Sequence, residues 1–234
     1  NDYDGKLGVP LALAGINSRH DFAVLKLATT YPGEMAAMVQ AVQPTVGVLT
    51  HIGDLNTNTF ESPTDILAEQ AVLMESLTPT ELAVLNFDSA TIRSLAKEAR
   101  AQIQAVGIDT FDVDIMAYNL VIGLDGTGFD LRFGGERSLA HRIPVLGRHH
   151  IYSVLAALLV GKHYDIPITE GAKVLGQLTP LAGRMNPLIG HAKSLLIDDT
   201  YNANTESTLS ALSWLKAIRE SVGRTIFILG EMNG

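Results

Sequence analysis

A chain of 234 residues that is 47% hydrophobic and 18% charged has the balance of a globular protein with a core, which excludes a disordered tail. Seventeen basic against 25 acidic residues give a formal net charge of −8, so no basic stripe is available for a nucleic-acid backbone. The absence of cysteine excludes disulfides and thiolate metal sites and fits a cytoplasmic protein; the longest apolar run, 154–160, is far short of the roughly 20 residues that cross a bilayer, and the opening residues carry no signal-peptide pattern.

In chain order, Asn1-Asp2-Tyr3-Asp4-Gly5 reads as a plain loop, and this opening, like the Asn233-Gly234 end, looks cut from something longer. Apolar runs at 22–27, 46–52, 82–86 and 108–113 predict four strands. They alternate with helical patterns, as a parallel sheet wrapped by helices requires. The clearest helix is 64–77: Ser62 can cap it, Pro63 suits its first turn, and Asp65 stands three residues after the cap. Its inward stripe reads Ile66, Gln70, Leu73, Leu77, which places one polar residue on an apolar face. A second helix, 89–105, turns Lys97, Glu98 and Arg100 to solvent.

Over 116–145 the pattern changes to alternating segments broken by Asp125-Gly126-Thr127-Gly128, a tight-turn signal that predicts an antiparallel hairpin region. Gly147-Arg148-His149-His150 leads into a helix at 151–162 that is apolar nearly all round and therefore predicted to be buried. Beyond Gly183, a strand at 195–197, a helix from Asn204 or Thr205 to Val222 and a strand at 225–229 make one βαβ unit. That unit is too small to bury a sheet alone and reads as the start of a further α/β domain.

The string Asp198-Asp199-Thr200-Tyr201-Asn202-Ala203-Asn204 resembles the D-D-x-Y-N-A-N signature of the Mur ligases. Further blocks agree in order and spacing: Gly8-Val9-Pro10-Leu11, Pro32-Gly33-Glu34, Thr50-His51-Ile52-Gly53, Gly147-Arg148-His149, Gly183-Arg184 and Leu229-Gly230-Glu231-Met232. The resemblance implies residues 1–182 as the central, ATPase-type domain, a parallel or mixed sheet with helices and a small antiparallel hairpin region. It implies 183–234 as the start of a Rossmann-like C-terminal domain. The family's phosphate-binding loop would fall before Asn1, so these residues alone are expected to hold ATP weakly or not at all.

The family joins an acid to an amine through an acyl phosphate, which requires ATP and a Mg²⁺ clamp on oxygen ligands. Its substrates are a UDP-sugar peptide and an amino acid or dipeptide. The resemblance puts Asp199 against the ATP ribose, Tyr201 and Asn202 along the adenine or substrate side, and Arg184 at the phosphates on domain closure. Arg184 reads equally well as an ordinary linker residue. His149 sits where the family meets the nucleotide, but the Asn expected four residues on is Ser153, and His149 and His150 also read as polar residues at a helix start.

The family clamps its metal with a Glu, a His and a carbamoylated Lys, which fall here on Lys26, Asn56 and Gln70. A cation opposes Mg²⁺, and two neutral amides replace an imidazole and a carbamate. Lys26 also reads as a strand-end residue paired with Glu34 or Asp54, and Gln70 as a hydrogen-bonded buried amide. Three functions follow: a working cell-wall precursor ligase, a pseudo-ligase that keeps the fold without turnover, or a subunit offering a surface to another ligase chain. Metal at the three replaced positions is expected to be absent.

Overall fold

Ser62 accepts the backbone N–H of Asp65 at 3.3 Å and Pro63 opens the helix that follows, so the start signal read from the sequence is the one the chain uses. The computed structural model describes residues 5–53 and 59–232; Asn56, Asp54, Asp2, Tyr3, Asp4 and the final Asn233 and Gly234 lie outside the described residues. They fall into two compact units, one of residues 1–85 and 89–103 and one of residues 86–88 and 104–233. Position 183 lies inside the second.

The first unit contains α1 (Gly5–Ala14), α2 (Glu34–Val42), β1 (Val46–Leu49), α3 (Pro63–Glu75), β2 (Leu82–Asn86, to Leu85 in this unit) and α4 (Ala90–Leu95). β1 and β2 pair in parallel, with Val46 opposite Leu82 and Leu49 opposite Leu85. Every residue of β2 is buried, as befits a strand of a parallel sheet covered on both faces. α3 buries Ile66, Leu73 and Met74, and with them the carboxylate of Glu69.

Two expected elements fail here. Residues 22–27 are irregular chain, with Phe22 61% and Val24 96% exposed. Apolar β-branched composition gives a segment the propensity for a strand but not a neighbour to ladder with. The helix expected over 89–105 is capped by Ser89 and stops at Leu95. Its former second half supplies β3 (Gln102–Gly107), because Ala105 and Val106 are buried on a sheet and not on a helix face.

In the second unit β3, from Gln104 on, pairs in parallel with β4 (Ile115–Ile122), which continues antiparallel into β5 (Thr127–Phe133) and β6 (Glu136–Ile143). The result is a mixed sheet with an antiparallel meander, the architecture expected from the sequence. The strand expected at 108–113 is instead the turn between β3 and β4. The β4–β5 turn is Gly123 to Gly126, closed by the Gly123 N–H on the Gly126 carbonyl at 2.9 Å, so Thr127 and Gly128 already belong to the strand. A second turn at Gly134-Gly135, with φ of 54° and 83°, has the two positive values that a primed hairpin turn demands.

The ladder registers slip on both sides of β5. Asn119 and Ala140 sit at these irregularities with φ of 51° and 60°. The Asp130 carboxylate binds both: it accepts the Ala140 N–H at 2.8 Å and the Asn119 side-chain amide at 2.9 Å. These bonds, Ala140 first, hold the Asp130 carboxyl below the usual carboxylate range.

α5 (His149–His163) and α6 (Ile168–Lys173) follow, and α5 buries Ile151, Val154, Leu155, Ala156, Leu158 and Leu159, as its apolar circumference predicts. The chain then forms an antiparallel hairpin, β7 (Asn186–Ile189) with β8 (Leu195–Asp198), and α7 (Thr205–Ala217). Residues 225–229 form no strand, and Ile226 and Ile228 are 67% and 87% exposed. A hairpin and a helix therefore stand where a complete βαβ unit was expected. α7 is anchored by Trp214, which packs with Leu146, Met185 and Ile218 and donates its indole N–H to the Gly123 carbonyl at 3.3 Å. Asn204 caps α7 in a reciprocal box with Ser207. Asn204→Ala is expected to cost about 1 kcal/mol, measured by chemical denaturation. An unchanged midpoint would show that tertiary packing alone fixes the helix start.

Candidate functional site

Two backbone segments of the second unit meet at the signature string. Gly183 donates its N–H to Asp198 Oδ2 at 3.1 Å and accepts the Tyr201 N–H at 3.0 Å, while the Met185 N–H bonds Asp199 Oδ1 at 3.0 Å. Asp198 closes its own turn through the Thr200 hydroxyl and N–H, which, led by the hydroxyl, hold its carboxyl below the ordinary range. Gly183 is buried at φ 73°, and a β-carbon there would stand 3.0 Å from both Tyr201 N and Tyr201 Cβ. Only glycine fits both the left-handed conformation and the close approach.

This clamp presents Arg184 and Tyr201 together, with the guanidinium 4.1 Å above the phenol ring. Both side chains are exposed, as is Asn202. The start of α5 completes the cluster: the His149 and His150 rings lie 4.1 Å apart. Burial, the His149 ring and the Arg184 charge push His150 down to about 4, so it is neutral at pH 7. The structure thus brings His149, His150, Arg184 and Tyr201 to one place. Asp199 stands beside them with one carboxylate oxygen engaged by Met185.

The second unit also carries a hydrogen-bonded node for which the sequence analysis gave no candidate. Asp88, just after β2, accepts the N–H groups of Ile108, Asp109 and Thr110 and the Tyr152 hydroxyl, the last at 2.8 Å. Burial alone raises the Asp88 carboxyl. It is outweighed by these bonds, led by Ile108, and the carboxyl ends below its ordinary value. Burial, then the bond to Asp88, pushes the Tyr152 phenol far up, so it remains a donor. Next to it Arg148 pairs with Asp109 at 2.6 Å. An acid immediately after a buried strand was the available signal.

In the first unit, the Gln70 side-chain amide donates to Thr29 Oγ1 at 3.0 Å, which ties it to the segment three residues beyond Lys26. Gln70 is half-buried and Lys26 is exposed. The buried polar residue of α3 is its neighbour Glu69, at 8% exposure. The 3.6-residue stripe missed it by one position. Glu69 accepts the N–H of Gly33 at 2.8 Å and of Met35 at 2.6 Å, satisfying two donors at the start of α2 and placing an anion at that helix end. Glu69→Gln keeps the size and halves the acceptors. It is expected to cost about 1–2 kcal/mol, read as a lower denaturation midpoint; an equal midpoint would show the capping bonds contribute nothing. Glu34 is likewise committed, accepting the Thr30 and Tyr31 N–H groups on Oε2.

Mg²⁺ asks for several oxygen ligands, at least one of them anionic. Among the described residues no group of three or more Asp, Glu, His or Cys is arranged to hold a metal, Lys26 is a cation, and Glu69 spends both oxygens on α2. The described donor set does not fit that ion; Asn56 lies outside it.

The second unit thus joins a mixed sheet with an antiparallel meander to a clamp between a Gly-Arg pair and an Asp-Asp-x-Tyr-Asn string. Residues 1–161 match the Mur ligase middle domain, and the chain belongs to that family. It is similar to the UDP-N-acetylmuramoyl-tripeptide–D-alanyl-D-alanine ligases of Haemophilus influenzae (27% identical over 92% of this chain and 46% of that protein) and Mycobacterium bovis (27%, over 98% and 46%). Among solved structures, MurF from Acinetobacter baumannii superposes with a TM-score of 0.82 at 26% identity, covering 93% of this chain and 47% of that one. MurF from Thermotoga maritima, solved in complex with ADP, shares the fold at a TM-score of 0.75 and 19% identity, over 92% and 50%. The chain spans about half the length of the relatives it matches. Among the described residues no helix is long and apolar enough to cross a membrane.

Proposed function

We propose that the protein containing this chain is a cytoplasmic, ATP-dependent amide ligase of the cell-wall precursor type, joining a UDP-sugar peptide to an amino acid or dipeptide, as the names of its relatives suggest. The observation that carries the reading is the Gly183–Tyr201 clamp, which holds Arg184 over Tyr201 beside the His149–His150 pair. When bound, ATP supplies the phosphoryl group that converts a substrate carboxylate into an acyl phosphate, from which an attacking amine displaces phosphate. This chain's part is to bind and orient. Arg184 offers a fixed cation to phosphate oxygens, and the ring of Tyr201 with the amide of Asn202 borders the base. Asp199 keeps one oxygen for a ribose hydroxyl, and His149 closes the face from α5. We also propose that domain organisation follows the family, with 1–182 central and 183–234 opening the C-terminal domain.

One observation favours a second reading, a pseudo-ligase that keeps the fold without turnover: the metal positions hold Lys26 and a Gln70 amide bonded to Thr29. Phosphate release, measured with UDP-N-acetylmuramoyl-tripeptide, D-alanyl-D-alanine and ATP together, separates the two. Release that needs both acceptor and donor, and falls at least 100-fold in Arg184→Ala, supports the ligase. No release above background, with the protein folded, leaves the pseudo-ligase.

A further inference from the structure

The second unit carries an open pocket of about 560 Å³ that shares no residue with the Arg184–Tyr201 face. Arg132, Arg137 and Arg148 line it, with Asp109 as its one acidic group and Phe111 and Tyr118 among its other walls. Three guanidinium groups against one carboxylate leave a net of two positive charges in a chain whose own net charge is −8.

The arrangement of those charges is costly to the fold. Arg132 on β5 and Arg137 on β6 are direct cross-strand partners. Opposed residues of an antiparallel pair have β-carbons about 4.5–5.5 Å apart, where like charges destabilise. Arg132 is fixed there: its guanidinium donates to the Phe111 carbonyl at 2.7 Å and lies 5.6 Å from the Phe111 ring centre. Arg148 is oriented by Asp109 at 2.6 Å. A planar guanidinium fork suits bidentate contact with an anion, and two of the three here are held in place by hydrogen bonds.

We infer that this pocket binds a phosphate monoester carrying a flat ring. A phosphoryl group brings about −1.5 to −2 charges at pH 7, which matches the net charge of the walls. The pocket volume lies within the roughly 300–1,000 Å³ of small-molecule sites and far exceeds one phosphate. Phe111, a pocket wall that is 72% exposed, offers a stacking surface for the remainder. The inference stands apart from the ligase reading, because none of its residues belongs to that face.

Calorimetry at low salt with phenyl phosphate tests it, since this probe has the dianion and the ring but no ribose for Asp199. The expected result is binding that weakens at least tenfold in Arg137→Ala and stays within twofold in Arg184→Ala, with inorganic phosphate weaker and phenol silent. The unliganded Arg137→Ala protein should melt no lower than the parent, because a repulsion has been removed. No binding of phenyl phosphate, an unchanged affinity in Arg137→Ala, an equal loss in Arg184→Ala, phenol binding as well as its phosphate, or a melting temperature several degrees lower in Arg137→Ala would each overturn the inference.

Discussion

Asp88→Ala is expected to lower the unfolding free energy by about 3 kcal/mol at pH 7, which for a chain of this length moves Tm down by roughly 6–12 °C. The carboxylate accepts three consecutive backbone N–H groups and a phenol, and Ile108, whose N–H bonds it at 2.7 Å, is only 7% exposed. Removing it leaves that donor and the Tyr152 hydroxyl without an acceptor, at about 1–3 kcal/mol each; partial exposure of the turn lets water recover some of the loss. The same change frees the β3–β4 turn and, through Tyr152, the base of α5. Asp88→Asn keeps one oxygen and is expected to lose about half as much.

The pH dependence has a definite sign. The folded Asp88 carboxyl lies below the ordinary carboxylate range, so its contribution is present above that range and is lost as pH falls through the lower, folded value. The melting temperatures of parent and Asp88→Ala should therefore differ at pH 7 and converge in strong acid. Equal melting temperatures at pH 7 would show that the turn closes without the carboxylate.

A second large effect is expected at Lys26, Asn56 and Gln70, where the resemblance places the family's metal ligands. Lys26→Glu, Asn56→His and Gln70→Lys together, in the protein containing this chain, are expected to raise Mg²⁺-dependent phosphate release at least 100-fold and to tighten Mn²⁺ binding by a similar factor. A unit charge 4 Å from another of the same sign costs roughly 4 kcal/mol at an effective dielectric of 20, about three orders of magnitude in affinity. Lys26→Glu alone removes that term and adds an anion, so it should account for most of the gain. The bond from Gln70 to Thr29 ties the Gln70 position to the segment three residues beyond Lys26. Mn²⁺ affinity, followed by electron paramagnetic resonance, reads the site without relying on turnover. Parent protein that already binds Mn²⁺ as tightly as the triple variant would sink the idea.

Local signals were legible wherever a short stretch of chain satisfies itself. Ser62, Pro63 and Asp65 start α3, Leu82 to Asn86 make the buried β2, the apolar helix becomes α5, and Asn204 caps α7. The caps depend on groups within a few residues of one another, and β2 and α5 carry their burial signal in their own apolar residues. The resemblance carried by the Asp-Asp-x-Tyr-Asn string was legible for the same reason, and the residues it pointed to meet in the clamp on Gly183 and the Arg184–Tyr201 stack.

Tertiary structure decided whatever needed a distant partner. Residues 22–27 and 225–229 have strand composition, but a strand exists only when another backbone lies alongside it. Glu69 and Gln70 are adjacent in sequence and differ by about 100° around the helix, so the stripe alone could not say which was buried until α2 presented two free N–H groups to one of them. The run at 108–113 turned instead of extending because Asp88, some 20 residues earlier, offered its N–H groups a carboxylate. The facing of Arg132 and Arg137 follows from the two-residue turn at Gly134-Gly135, which sets the register of β5 against β6; composition records both arginines but not that they stand opposite each other.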